Sequence, residues 1–167
     1  MVQARLVPLI GRLSQPIGDW DRLFRGSVDG FDADAFHNEC DYFGPTVTVA
    51  GVTDGPIIGG FTYRPWQTPD MPGTCVAWDV GAFLFRVASD ECRVTAFHHR
   101  PELITGSTIR YDGDTGPGWG DGDLNLLDSR GRSSNTSVGS QYEFHGHSLT
   151  QISAGEFEID DIEVYLK

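Results

Sequence analysis

The spacing of apolar residues changes along the chain from helical to strand-like. Between residues 19 and 40, apolar side chains recur at intervals of three or four, which places them on one face of a helix. The turn Asp29-Gly30 divides this stretch into two predicted helices, and Asp32 is placed to cap the second. The apolar positions are Trp20, Leu23 and Phe24 in the first helix and Phe36 and Cys40 in the second.

After Gly44 the chain consists of short β-branched and aromatic runs separated by Gly, Pro and Asp, a pattern typical of antiparallel strands. Residues 46–52 and 56–63 flank the turn Asp54-Gly55, so they predict a β-hairpin. Further strands are predicted at residues 81–87, 93–98, 123–128 and 156–166. The sequence therefore predicts an α+β domain that is mainly β.

Length and charge limit the classes of function. A chain of 167 residues fits one domain of ordinary size. Its net charge of -12 repels phosphate backbones, so we expect no nucleic-acid partner. No apolar run approaches the roughly 20 residues that span a bilayer, and Arg5, Pro8 and Arg12 interrupt the stretch where a signal peptide would lie. We therefore expect an acidic cytoplasmic protein without membrane insertion.

The cysteines and histidines give no strong sign of a metal site. Cys40, Cys75 and Cys92 are widely spaced and are expected to be buried, reduced thiols. His145 and His147 would lie on the same side of a strand, but no third ligand is evident nearby.

Hydrolase motifs are also missing from the sequence, which has neither a G-x-S-x-G elbow nor a protease-type cysteine signature. We therefore predict that the chain is not an enzyme. Because catalytic triads assemble from residues that are distant in sequence, an undetected hydrolase is kept as the third hypothesis.

The stretch from Tyr111 to Gly122, rich in Gly and Asp, predicts a long surface loop. Its carboxylates could bind a hard cation such as calcium. An EF-hand count from Asp112 fails, because position 6 is Pro117 instead of Gly and position 12 is Asp123 instead of Glu. A calcium-dependent ligand-binding β-sandwich is the alternative function. The candidate calcium ligands are Asp112, Asp114, Asp121 and Asp123.

Trp119 stands between two glycines of this predicted loop. We expect Trp119 and its neighbouring aspartates to lie at the rim of the fold. The ring could plug the end of the fold, or it could offer an apolar anchor to a partner, since Trp is enriched at binding hot spots. Both alternatives are open at this point.

Six stretches carry a family resemblance in one order and spacing. They are Trp20-Asp21-Arg22-Leu23-Phe24, Gly44-Pro45-Thr46-Val47, Ile58-Gly59-Gly60-Phe61, Ala82-Phe83-Leu84-Phe85, Gly118-Trp119-Gly120-Asp121-Gly122-Asp123-Leu124 and Phe157-Glu158-Ile159-Asp160-Asp161-Ile162-Glu163-Val164-Tyr165. In these stretches the sequence resembles the TLDc family. The resemblance covers residues 16–167, and residues 1–15 are interpreted as an N-terminal extension of the same domain.

The resemblance implies two antiparallel sheets packed as a β-sandwich with a few flanking helices. It also implies a family without an established active site, linked to protection against oxidative damage and, in several members, to binding and regulating the V-ATPase. The expected function is therefore that of a non-catalytic protein-interaction domain, with another protein, such as a V-ATPase subunit, as its partner.

Three further expectations concern named residues. Glu163 lies within the apolar closing strand, so if it is buried it needs a cationic partner such as Arg22 or Arg25. The candidate partner-binding residues are Trp119, Asp121, Asp123 and Glu163. A single core between the two sheets is predicted to contain Val47, Val49, Phe61, Phe83, Phe85, Phe157, Ile159 and Val164.

Overall fold

The computed structural model describes residues 20–71, 73–87, 94–100, 102, 107–128, 131–137, 140–144 and 155–167. The predicted extension at residues 1–15, together with Cys92, His145 and His147, lies outside these described residues. The helices are α1 (Gly26–Asp29) and α2 (Ala33–Cys40). The strands are β1 (Asp21–Arg25), β2 (Thr46–Val52), β3 (Ile57–Thr62), β4 (Cys75–Ala77), β5 (Phe83–Val87), β6 (Val94–His98), β7 (Ile109–Tyr111), β8 (Gly118–Trp119), β9 (Leu124–Asn125), β10 (Ser133–Thr136) and β11 (Gly155–Leu166).

The strands form one antiparallel sheet whose two halves share the long strand β11. Residues 155–158 of β11 pair with β10, and residues 159–166 pair with β2. One half runs β4-β7-β8-β9-β10, the other runs β2-β3-β5-β6, and β1 pairs with the end of β11. The prediction of a mainly β chain is confirmed. The described strands, however, form one continuous sheet instead of two separate ones.

The first predicted helix is wrong for residues 21–25, which form strand β1, and only Gly26–Asp29 of that stretch is helical. Arg22 pairs with Tyr165 of β11, and Phe24 pairs with Val164. A β-bulge between Arg22 and Phe24 breaks the alternation of side chains, which hides the strand period in the sequence. Pairing with β11 therefore determines the conformation of residues 21–25, although their apolar spacing favours a helix.

The second predicted helix is confirmed as α2, and its cap is the expected one. The Asp32 side chain accepts a hydrogen bond from the backbone N of Ala35 at 2.8 Å. Phe36 and Cys40 face the core and are fully buried. In the described part of the chain, no helix has both the length and the apolar character needed to cross a membrane.

The predicted β-hairpin is confirmed as β2 and β3, but its apolar residues divide between two cores. The structure buries β2 and β3 on both faces, so alternate side chains enter different clusters. One cluster includes Ala50, Val52, Ile58, Leu84, Trp119, Phe157, Ile159 and Val164. The other includes Val47, Val49, Phe61 and Phe85, with the half-buried Phe83 packed against it. The prediction of a single core is therefore wrong.

Candidate functional site

Trp119 lies in the interior, contrary to the expectation that it is presented at the rim. The ring is fully buried and packs edge-on against Trp66, with ring centroids 5.3 Å apart. It also lies directly on Gly60 of β3, where a Cβ would collide with it, and its Nε1 donates to the carbonyl oxygen of Phe61. Of the two alternatives, the plug describes this placement, since no part of the ring is exposed to a partner.

The surrounding segment is not one long surface loop as its composition predicts, although residues 113–115 form a turn in which Asp114 is exposed. Residues 116–120 are buried, and residues 118–119 form β8 between β7 and β9. Backbone hydrogen bonds hold the segment, including one from Gly116 N to the carbonyl oxygen of Leu127 at 2.9 Å. Glycine allows this close approach, because a Cβ at Gly116 would collide with the Leu127 side chain and the neighbouring backbone.

The Asp123 carboxylate is fully buried and holds residues 140–142. It accepts hydrogen bonds from the backbone N of Ser140, Gln141 and Tyr142 at 3.0, 2.9 and 3.2 Å, and another from the Ser140 hydroxyl. The expectation of a surface position is therefore wrong for Asp123, because its oxygens satisfy donors within the protein. Its neighbour Asp121 is exposed, as expected.

The four candidate calcium ligands are not brought together. Asp112 accepts from the Thr74 hydroxyl at 2.9 Å, from Arg110 Nη2 at 3.2 Å and from the backbone N of Asp114 at 3.1 Å. Burial alone would raise the pKa of Asp112, but these hydrogen bonds lower it. The Asp123 oxygens already accept hydrogen bonds from residues 140–142. Across the described ranges, no group of three or more His, Cys, Asp or Glu side chains is arranged to hold a metal ion.

Glu163 is buried and has the cationic partners that the sequence predicts. Its Oε1 lies 3.7 Å from Arg22 Nη1 and 3.6 Å from Arg25 Nε. The Tyr165 hydroxyl donates to Glu163 Oε2 at 2.9 Å. Burial, followed by this bond to an anion, raises the pKa of Tyr165. Glu163 therefore belongs to an internal ion cluster and presents no charge to a partner.

Asp161 extends this cluster to α1, and sequence reasoning did not identify it. Its carboxylate accepts from the backbone N and the hydroxyl of Ser27 at 3.0 and 2.8 Å, and from Arg25 Nε at 2.9 Å. Burial would raise the pKa of Asp161, but the bonds from Ser27 and Arg25 lower it. No local signal points to Asp161, because Ser27 lies 134 positions away in the sequence.

Asp79 is a further carboxylate that no sequence motif singles out, and it is buried. It accepts from the Thr62 hydroxyl at 2.8 Å and from the backbone N of Tyr63, Arg64 and Gly81 at 2.6, 3.3 and 3.0 Å. These bonds fix the turn after β3 against the turn before β5. Most of the donors are remote in sequence, so no local pattern indicates them.

His37 connects α2 to the segment that precedes β8. Its Nδ1 lies 2.8 Å from Asp41 Oδ1, and its Nε2 lies 3.1 Å from the carbonyl oxygens of Asp112 and Thr115. Both ring nitrogens thus face acceptors, which the doubly protonated imidazolium satisfies. Burial lowers the pKa of His37, but the bond and charge of Asp41, with the two carbonyl groups, raise it overall.

A pH-dependent stability follows from this raised pKa of His37. A group whose pKa is higher in the folded state contributes stability that is complete below its unfolded pKa of about 6.5 and is lost as pH rises through the folded pKa. We expect the His37→Gln variant to lose more stability relative to wild type at pH 6 than at pH 8.5, measured by urea unfolding. His98→Gln, at an exposed position, is the control. Equal losses at both pH values would contradict the proposed charge.

The described cysteines differ in exposure. Cys40 is buried, as expected, and burial raises the pKa of its thiol. Cys75, on β4, is exposed, so the expectation of a buried residue is wrong there. Both are free thiols.

Comparison with protein families gives a match over nearly the whole chain. The model of the TLDc domain matches residues 7–166, which includes part of the segment interpreted as an extension. Comparison with curated proteins gives no match. The matched range contains every described strand and both described helices. The chain belongs to the TLDc domain family.

Proposed function

We propose that this chain is a non-catalytic domain that binds another protein. The supporting observation is that the buried carboxylates of Asp79 and Asp123 and the half-buried one of Asp161 serve the fold itself, since each accepts several hydrogen bonds from the protein's own groups. A general acid or base must instead reach the reacting group of a substrate.

Membership of the TLDc family supports a more specific proposal. The family is generally linked to resistance to oxidative stress. We therefore propose a cytoplasmic role in oxidative-stress protection, with a V-ATPase subunit as the first partner to test. The net charge of -12 supports a protein partner over nucleic acid.

We further propose that the two halves of the sheet face one another as the layers of a β-sandwich. The contact of Trp119 in β8 with Gly60 in β3 supports this arrangement, because the two strands belong to different halves. Such packing would bury the larger apolar cluster between the layers.

Cross-linking in lysate, followed by mass spectrometry, tests the protein-binding proposal. The sequence has a single lysine, Lys167, but 24 Asp and Glu residues. A carbodiimide with a dihydrazide linker, which couples carboxylates, therefore suits this chain better than an amine-reactive reagent. We expect a small set of proteins to be captured repeatedly.

A second assay tests the V-ATPase proposal. The domain is added to purified V-ATPase, and we expect a dose-dependent change in the rate of ATP hydrolysis.

The outcomes separate the competing functions. An unchanged ATP hydrolysis rate would remove the V-ATPase proposal while leaving a protein partner. Capture of no specific protein would contradict the interaction function itself. A melting temperature that rises with calcium but not with magnesium would support the calcium alternative, since a ligand of the native state stabilises it by RT ln(1 + [L]/Kd). Turnover of a panel of chromogenic esters would support a hydrolase.

A further inference from the structure

Several large apolar side chains are exposed in the segments that follow α2, β3 and β4. Tyr42 is 82% exposed, Val80 is 74% exposed, and Phe43 and Tyr63 are about half exposed. Arg64, which follows Tyr63 in the sequence, is also exposed. We call these five residues, Tyr42, Phe43, Tyr63, Arg64 and Val80, the aromatic–arginine surface.

Backbone contacts join the three segments that carry this surface. Trp66 N donates to the carbonyl oxygen of Phe43 at 3.4 Å, and Gly44 packs so closely on the Arg64–Pro65 backbone that a Cβ would collide with it. Arg64 Nε donates to the carbonyl oxygen of Trp78 at 3.2 Å, which brings the segment of Val80 alongside. Arg64 therefore lies between the Tyr42–Phe43 segment and Val80.

The surface is held in place by buried groups. Asp79 fixes the backbone of Tyr63, Arg64 and Gly81 through the hydrogen bonds described above. Tyr42 has a left-handed backbone with φ of 70°, held by a 2.8 Å bond from its N to the carbonyl oxygen of Trp66. A surface that is ordered before binding loses less conformational entropy when a partner arrives.

Arg64 gives the surface a charge preference. Its guanidinium takes part in none of the ion pairs found among the described residues, in contrast to Arg22, Arg25 and Arg110. Its Nε is occupied by the Trp78 carbonyl group, which leaves the two Nη groups able to bind a carboxylate with two parallel hydrogen bonds. The nearby Asp79 is buried and directs its oxygens to internal donors. Carboxylates farther than about 8 Å are largely screened at physiological salt.

We propose that the aromatic–arginine surface binds an apolar segment of a partner protein that carries an Asp or Glu for Arg64. The apolar side chain of that segment packs on the exposed aromatic rings and Val80, and its carboxylate pairs with the guanidinium. Tyrosine and arginine are among the residue types that dominate binding hot spots. The assignment rests on the proposed protein-binding function and specifies its surface and partner chemistry.

Selection from a displayed library of random peptides on the immobilised full chain tests this assignment. We expect the enriched peptides to share an acidic residue close to a large apolar one. Their affinity should fall about tenfold or more in Arg64→Ala and in Val80→Ser, as expected for hot-spot positions. Val28→Ser, which changes an apolar residue of α1 that is 68% exposed, should leave it within about twofold. Melting temperatures close to that of wild type show that each variant is folded.

Three results would overturn the assignment. They are enrichment of basic peptides, no enrichment, and peptides whose affinity is unchanged in both Arg64→Ala and Val80→Ser. The lysate cross-linking is repeated on the same variants. If wild-type partners are still captured by both variants, the surface is wrong while the interaction function stands. If wild type captures nothing specific, the function itself fails.

Discussion

Replacing Trp119 with Ala is expected to lower the free energy of unfolding by about 3–5 kcal/mol, the usual cost of truncating a fully buried aromatic side chain. The ring fills the space between Gly60 and Trp66, so its loss leaves a cavity that the rigid β3 strand cannot close. Urea unfolding followed by circular dichroism measures the change. If Trp119 served a partner instead, the variant would keep its stability and lose binding.

The close approach of Trp119 to β3 supplies a matched pair of controls. Gly60→Ala should destabilise the protein by about 1–3 kcal/mol, since the added methyl group collides with the ring. Gly51→Ala, in the preceding strand β2, should be tolerated, because among the described residues no atom beyond Gly51 and its two chain neighbours lies within 4 Å of the place that its Cβ would take. The cost of Gly60→Ala should also shrink in a Trp119→Ala background, as for any pair in direct contact. Equal costs in both backgrounds would contradict the contact.

Replacing Asp123 with Asn is expected to cost about 3 kcal/mol, because the amide group cannot accept the bonds of both carboxylate oxygens. Either Gln141 N, or Ser140 N together with Tyr142 N, would then face an NH₂ group, which is itself a donor. Thermal and urea unfolding measure the loss. Hydrogen exchange should also show faster exchange at these three amides.

Asp121→Asn is the matched control, since it makes the same chemical change two residues away on an exposed side chain. We expect it to change stability by less than about 0.5 kcal/mol. If both variants lost stability equally, overall charge and not the buried hydrogen bonds would be responsible. If neither lost stability, the assigned role of Asp123 would be wrong.

Local sequence patterns predicted the elements whose signals are also local. The hairpin of β2 and β3 was predictable because Asp54-Gly55 separates two β-branched runs. The cap of α2 was predictable because Asp32 reaches Ala35, three residues away. A cationic partner for Glu163 could be predicted because burying an unpaired carboxylate in an apolar strand costs much free energy, which a nearby cation reduces.

The failures concern contacts between distant parts of the chain. Residues 111–122 look like a solvated loop by composition, but the polarity is satisfied internally by donors such as Thr74 and Arg110. The sequence of β1 has helical spacing, and the pairing with β11 that makes it a strand joins residues about 140 positions apart, so no local pattern reveals it. Neither the donors of Asp79 nor the carbonyl partners of His37 can be read from neighbouring residues. A single sequence contains no record of such pairings.

The position of β11 has a consequence for synthesis of the protein on the ribosome. This strand pairs with β1, β2 and β10, all of which precede it, so both halves of the sheet lack a central strand until residues 155–166 have emerged. Pairings between residues far apart in sequence also slow folding, because long loops must close first. The nascent chain therefore exposes the edge of β2 from residue 52 onward, and that of β10 from residue 136 onward, until β11 has been added. Exposed strand edges of this kind can pair with other chains, so we expect chaperones to bind the nascent chain during this interval.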